Sequence, residues 1–374
     1  MILSRQFLLV GILAVAAVLA AGCTGTPSPT SPDNGTITLT DTMNRTVTLD
    51  GTPERVIGVG AGSLRLLVYL NASEKVVAVD ERDRKPMTAG AAGMPSGEDR
   101  PYLLANPGLA DLPSAGRISG DPEAIMAQRP DAVFVTFTTA KDAQTLQEKS
   151  GVPVIALVTG DLGANRGAFE RSLRTMGTAL GREERAEEVL TYINATTADL
   201  RNRTADIPAA DRPRVYIGGV AFNGAHGFLS TDPAYAPFML LGADNVAAET
   251  GPGGQVMIDR EKLIEWNPDV IFVDEASAAL VADDLRDPVF QSLDAIENGR
   301  VYGVMPYNWY ANNYDTVLAD AYFIGKTLYP ERFTDVDPVE KADEIYRLLD
   351  GGPAYEGMQR IFGGFGPFAE VRGA

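Results

Sequence analysis

Two stretches of this chain place a carboxylate in the first turn of a short helix. Asp121-Pro122-Glu123 leads into Pro130-Asp131 and the apolar run Ala132-Val-Phe-Val135, and Asp259-Arg260-Glu261 leads into Pro268-Asp269 and Val270-Ile-Phe-Val273. Asp121 and Asp259 suit the N-cap and Pro122 the first helical position, and a glutamate just inside is stabilised by the helix dipole. That local effect accounts for either glutamate alone. Their matched placement offers one carboxylate per half of the chain, a pair able to engage two copies of an arginine-bearing partner. The repeat itself implies two similar lobes, and two facing lobes make a cleft.

Other residues able to contact a ligand cluster after strand-like runs. His226, the one histidine, sits in Phe222-Asn223-Gly-Ala-His226-Gly. It can touch a ligand, ligate a metal or brace a turn, but a lone histidine without clustered cysteines or acids makes a poor metal site. Tyr307-Asn-Trp309-Tyr310 with Asn312 is a loop of aromatics and amides, suited either to packing under a loop or to stacking on a planar or chelate ligand. Arg65, Arg82, Arg84 and Tyr102 are the candidates in the first half, where arginines can pair with an anion. Gly58-Val-Gly60-Ala-Gly-Ser63, with Asp80 ending the next strand, mimics a dinucleotide fingerprint, but Ser63 replaces its last glycine. The better reading is a tight strand-to-helix turn where an open sheet binds ligands, which makes Ser63 a candidate contact. The chain shows no nucleophile elbow, zinc spacing or phosphate loop, so an enzyme is disfavoured.

The elements that must carry these residues alternate strand and helix, the pattern of mostly parallel sheets. A hairpin is expected around Asp41–Asn44. Strands follow near residues 55–59, 76–79, 132–137 and 154–157, with helices at 64–70 and 143–149. The second half repeats the scheme from Arg214-Val-Tyr-Ile-Gly218, which answers Arg55-Val-Ile-Gly58. Between them a helical pattern runs from about Asn165 to Arg203, interrupted near Gly181, and reads as a stiff strut. The expected organisation is a first α/β lobe at 36–163, an interlobe helix at 164–207, and a second α/β lobe with closing helices at 208–374. The fold class is thus α/β, with two Rossmann-like lobes joined by a rigid helix and a ligand cleft between them.

Composition narrows the partners. The 374 residues carry a formal charge of −18, which disfavours nucleic acid. Residues 1–22 combine Arg5 with an apolar run from Phe7 to Ala21, the form of an export signal. The run ends at Leu19-Ala-Ala-Gly22 before Cys23, the one cysteine in the chain, and so resembles a lipoprotein signal that would make Cys23 a lipidated N-terminus. An uncleaved membrane anchor is the alternative. Residues 23–35 are then a Pro/Ser/Thr tether, and the folded part lies outside the cell.

Taken together, Ile37-Thr-Leu-Thr-Asp-Thr-Met-Asn-Arg-Thr-Val-Thr-Leu49, Pro53-Glu-Arg-Val-Ile57, the two Glu…Pro-Asp repeats and Leu318-Ala-Asp-Ala-Tyr-Phe-Ile-Gly-Lys-Thr-Leu-Tyr-Pro330 resemble the ABC-transporter substrate-binding proteins for iron complexes and cobalamin. The segment Val336-Asp-Pro-Val-Glu-Lys-Ala-Asp-Glu-Ile-Tyr346 is similar to the closing segment of the iron branch. The resemblance implies a monomer without a cofactor that traps a metal chelate, most readily a ferric siderophore-type complex, and hands it to a permease dimer with its ATPase. Corrinoid, haem and nickel chelates are alternatives. It further implies that Glu123 and Glu261 dock on permease arginines. A surface hydrolase or chelatase, or a ligand sensor, is the reading from a different class.

Overall fold

The computed structural model describes residues 35–84 and 99–368; the leader, Cys23 and the tether up to Asn34 lie outside the described residues. The described chain begins with a hairpin, β1 (Ile37–Thr40) and β2 (Thr46–Leu49). Its turn is built by Asp41, whose Oδ1 accepts the amides of Met43 and Arg45 at 3.0 and 2.9 Å. Aspartate favours such positions because its short side chain bonds its own backbone.

The first lobe is a parallel sheet of β3 (Val56–Val59), β4 (Val76–Val79), β5 (Ala132–Val135) and β6 (Val154–Ala156), in the order β4-β3-β5-β6. The second contains β7 (Arg214–Gly218), β8 (Ser230–Thr231), β9 (Asp244–Asn245), β10 (Val256–Met257), β11 (Val270–Asp274), β12 (Val301–Val304) and β13 (Gly366–Pro367). Its sheet runs β13-β12-β11-β7-β9, so β9-β7-β11-β12 copies the parallel order of the first lobe and β13 adds an antiparallel edge. β8 and β10 pair separately as a short ribbon. The two lobes are topological copies.

The repeated Pro-Asp has a local cause. Asp131 Oδ2 accepts the amides of Glu54 and Arg55 at 2.9 and 2.8 Å, and Asp269 Oδ2 accepts the amide of Arg214 at 2.7 Å. Each aspartate thus secures the start of its lobe's first strand. The arginines return the contact, Arg55 to the carbonyls of Gln128 and Arg129, and Arg214 to the carbonyl of Trp266.

Strands buried on both faces read as apolar runs, and here the period-two alternation sorts them between separate cores. Ile57, Val133, Val135 and Val154 face one core of the first lobe, and Tyr216, Ile271, Val273 and Val301 face one core of the second. The opposite faces, with Val56, Phe134 and Ile155 from one lobe and Val215, Ile217 and Phe272 from the other, join a single cluster. Leu173, Val189 and Ile193 of the connecting helices and Leu318 and Ile345 of the closing helices complete it. A core continuous through both lobes leaves little freedom for one to move against the other.

The connecting segment differs from the expected single strut. It forms two helices, Arg166–Leu180 and Glu183–Thr204, and Gly181 between them takes φ 62. The helices fold back on each other: Arg174 Nε lies 2.6 Å from Glu187 Oε1, and the Cβ position of Gly177 meets Ala186. The glycine that only interrupts the apolar pattern in sequence therefore reverses the chain. The closing helix Pro338–Asp350 packs on the helix Tyr314–Leu328 and also reaches the first-lobe helices Ser63–Tyr69 and Pro101–Ala105, so it bridges the two lobes. Asp259 occupies its N-cap position, but its side chain makes no capping bond, unlike Asp121, whose Oδ1 accepts the amides of Glu123 and Ala124.

Because Gly181 sits in the left-handed region, Gly181→Ala should cost about 1 kcal/mol. Urea unfolding reads this, and ligand affinity should not change.

Candidate functional site

The ends of corresponding strands converge on one cavity of about 310 Å³. From the first lobe it is lined by Ala61 after β3, Arg82 after β4, Ile118, and Phe137 after β5. From the second it is lined by Ala221–Gly224 after β7 and Asn308–Ala311 after β12. In both sheets the strand order reverses beside the first strand, and loops leaving such switch points are where open α/β sheets bind ligands. A neighbouring cavity of about 430 Å³ shares Phe222 and Asn308 and is lined further by Asp161, Asp232, Tyr307, Asn312 and Tyr314.

The lining of the first cavity is strained. Ile118, Phe137, Asn223, Tyr310 and Ala311 all have positive φ, between 50 and 62°. For a β-branched or bulky side chain this conformation is costly, about 1–3 kcal/mol each, and persists where surrounding structure enforces it. Phe137 and Phe222 are 63% and 51% exposed, so large apolar rings are held open to solvent, one from each lobe, around the cavity. Exposed aromatic surface at a concave site is the usual apolar wall for a ligand.

The aromatic loop owes its shape to Arg65. This arginine is fully buried in the first lobe, and its guanidinium reaches across to the second. Nη2 donates to the carbonyl of Tyr310 at 3.0 Å, Nη1 to that of Asn312 at 2.5 Å, and Nε to Asn313 Oδ1 at 3.0 Å. Asn313 Nδ2 in turn donates to the carbonyls of Tyr307 and Trp309, both at 3.0 Å. Below the loop, Tyr310 packs its ring against Arg82 and Arg100, with centroid distances of 5.7 and 5.4 Å. Burial, with Asp83 nearby, raises the Tyr310 phenol above its usual range, so the ring stays neutral.

The sequence candidates thus divide. Arg82, Phe222, Asn223, Trp309 and Tyr310 line the first cavity, and Tyr307, Phe222 and Asn312 the second. Arg82 is the guanidinium available to a ligand: among the described residues its side chain makes no hydrogen bond or ion pair, only the ring contact with Tyr310. Four candidates are engaged elsewhere. Arg65 is the clamp. Tyr102 is buried under it and donates to Asp83 Oδ1 at 2.7 Å, and Ser63 Oγ donates to the Phe134 carbonyl at 2.9 Å. His226 Nε2 donates to the carbonyl of Phe222 at 2.8 Å, bracing its own turn. Arg84 is exposed and lines neither cavity. Among the described residues no group of three or more His, Cys, Asp or Glu stands together to hold a metal ion.

Sequence reasoning missed Ile118 and Phe137, and it took in Asn308 only as part of the aromatic loop. The rule that ligands sit at carboxyl ends of strands points to Phe137, two residues beyond β5. Nothing in the sequence announces Ile118, which comes from an irregular segment. Glu123 and Glu261 are both exposed in the first turns of helices Pro122–Gln128 and Arg260–Trp266. Each keeps its carboxylate free of hydrogen bonds or ion pairs to the described residues.

Two α/β copies sharing a core, with a pocket at their matching strand ends, define a cleft receptor. The chain belongs to the periplasmic binding protein family, whose model matches residues 56–307. It is a substrate-binding protein of an ABC importer, and its family consists of binding proteins of transporters rather than enzymes. It is 25% identical over 309 residues to the molybdate-binding protein MolA of Haemophilus influenzae, covering 76% of this chain and 82% of MolA. The molybdate-bound structure of MolA superposes with a TM-score of 0.65 at 22% identity, covering 85% of this chain and 98% of MolA. The chain is 19% identical to YvrC of Bacillus subtilis, an uncharacterised ABC transporter substrate-binding lipoprotein, over 86% of this chain and 97% of YvrC. A structure described as an ABC-type Fe3+-hydroxamate transport system, from Saccharomonospora viridis, matches with a TM-score of 0.51 at 20% identity, covering 78% and 99%.

Removing Arg65 strands several buried acceptors at once. Arg65→Ala should therefore destabilise the protein by about 3 kcal/mol or more and shift Trp309 emission to the red, as read by chemical unfolding followed through fluorescence. Asp274 gives a pH signature. Burial raises its carboxyl to about 6, against the opposing pull of the Ala221 and Ala276 amides. A folded-state pKa above the unfolded value means that this group's contribution to stability falls as pH rises from about 4 to about 6 and is level above that. Asp274→Asn should flatten that part of the stability–pH curve.

Proposed function

We propose that the cleft captures a metal chelate, a ferric siderophore-type complex, and delivers it to an ABC permease with its ATPase. The carrying observation is the chemistry of the first cavity. Its described lining is apolar and aromatic with one guanidinium and two asparagines, and contains no carboxylate, imidazole or thiolate. Such a wall offers an incoming bare metal no anionic or imidazole ligand, which favours a metal that enters already wrapped. An apolar-faced chelate with negative charge suits Phe137, Phe222 and Trp309 on its faces and Arg82 at its edge. The resemblance of residues 318–346 to the iron branch supports the ferric choice, while corrinoid, haem and nickel chelates have the same general demands. Molybdate, the ligand in MolA's name, is the competing reading, favoured by that sequence similarity and by the guanidinium of Arg82, which makes no ion pair with the described residues.

In this reading the protein works as a monomer outside the cytoplasm, held to the membrane by a lipid on Cys23, and tethering keeps captured cargo near the permease. Glu123 and Glu261, exposed at the same position of each lobe and without an ion pair to the described residues, are the docking carboxylates for permease arginines.

Calorimetric titration against a ferric hydroxamate, haem, cobalamin, nickel–histidine and molybdate tests the cargo. Saturable binding of the ferric chelate is expected, and binding of molybdate alone would overturn the chelate reading. Glu123→Ala combined with Glu261→Ala should abolish uptake in cells while leaving affinity unchanged. Lost affinity with normal uptake would contradict the docking role.

A further inference from the structure

We propose that Asp80 and Asp274 are positioning residues for ligand capture, each holding the cavity-lining loops of its own lobe in the conformation that receives the ligand. The inference rests on the reading of the cleft as the cargo site. In sequence, Asp80 mimics the acidic residue of a dinucleotide site. In the fold it is fully buried and faces backbone instead. Its Oδ2 accepts the amides of Gly60 at 3.1 Å and Ile118 at 2.6 Å, and its Oδ1 accepts the amide of Arg82 at 2.9 Å. Ile118 and Arg82 line the cavity, and Gly60 precedes Ala61, which also lines it.

One carboxylate therefore gathers three separate first-lobe segments at the cavity wall. It also accounts for the strain at Ile118. An isoleucine at φ 56 needs an enforcing contact, and the amide it offers to Asp80 is the shortest of the three. A hydrogen bond from an amide to a buried carboxylate is strong enough to offset such a cost.

Asp274 does the corresponding work at the end of β11. Buried there, it accepts the amide of Ala221 at 3.1 Å through Oδ2 and that of Ala276 at 3.0 Å through Oδ1. Ala221 opens the turn that presents Phe222 and Asn223, the latter at φ 55. Loops fixed before binding lose less freedom when the ligand arrives, which raises affinity without adding a contact. The opposite ends of the same sheets supply a natural contrast. Asp131 also gathers amides, those of Glu54 and Arg55, but at the start of β3, and it lines neither cavity.

The test compares Asp80→Asn, Asp274→Asn and Asp131→Asn in the otherwise intact protein. An asparagine is isosteric but neutral, so it weakens every amide bond that the carboxylate accepted, and its single acceptor oxygen cannot serve amides held on two oxygens. Hydrogen exchange without ligand should speed up at Gly60, Arg82 and Ile118 in the first variant, and at Ala221 and Ala276 in the second. Calorimetry with a ferric hydroxamate, haem and molybdate as probes should show binding about tenfold to a hundredfold weaker in both. Asp131→Asn should lose protection at Glu54 and Arg55 and lower the melting temperature, with binding unchanged. Faster exchange with wild-type affinity in Asp80→Asn and Asp274→Asn would overturn the proposal. So would a loss of affinity in all three variants that simply follows melting temperature. Should Asp80→Asn fail to fold, Asp274→Asn tests the same claim from the other lobe. A wild-type protein that binds none of the probes would sink the cargo reading, whereas unchanged exchange at Ile118 and Ala221 would sink this one.

Discussion

The guanidinium of Arg65 is the contact on which the rest of the cleft depends. It leaves a first-lobe helix, crosses to the second lobe and binds a loop 245 residues away in sequence. A buried cation without a carboxylate bonded to it is costly, and carbonyl dipoles meet that cost here only because the loop folds around the charge. The shape of the Tyr307–Asn313 segment and the burial of Arg65 are therefore one event. Neither lobe can form this wall of the cavity alone.

The continuous core makes the same point on a larger scale. One apolar cluster takes in a face of each sheet, the folded-back helix pair and the closing helices. Hinge motion of the lobes would have to open that cluster, at about 25 cal/mol for each Å² of apolar surface exposed. A cavity between lobes joined in this way is largely formed before the ligand arrives. The positive-φ residues at its wall fit this picture, since their strain is held by buried polar contacts rather than released by closure.

Much of this was legible in the sequence, and the reasons are local. The parallel sheets and their duplication followed from apolar runs and turn residues. The Pro-Asp repeat was visible because each aspartate bonds the start of a strand in its own lobe, so both halves preserve the same short signature. The aromatic loop and Arg82 were singled out by residue type at strand ends, and both border the cavity. What escaped depended on distant partners. Arg65, Tyr102 and Ser63 are ligand-like residue types, yet their polar atoms are used by Asn312, Asp83 and Phe134. His226 was drawn into its own turn by the Phe222 carbonyl. Phe137 was passed over although it stands just beyond the carboxyl end of a strand, and Ile118, an exposed apolar side chain at positive φ in an irregular segment, leaves no pattern in a sequence. Gly181 registered as an interruption, whereas its left-handed backbone turns the chain around.

The most direct test of the account is whether cargo binding is felt at Trp309. The protein has two tryptophans. Trp309 lines the cavity, while Trp266 lies in the outer core of the second lobe with its indole nitrogen donating to Glu249 at 2.9 Å. Fluorescence titration with the ferric chelate should show saturable quenching that survives Trp266→Phe and disappears in Trp309→Phe. Quenching that instead follows Trp266, or that persists unchanged without Trp309, would place the ligand outside the interlobe cavity and contradict the account.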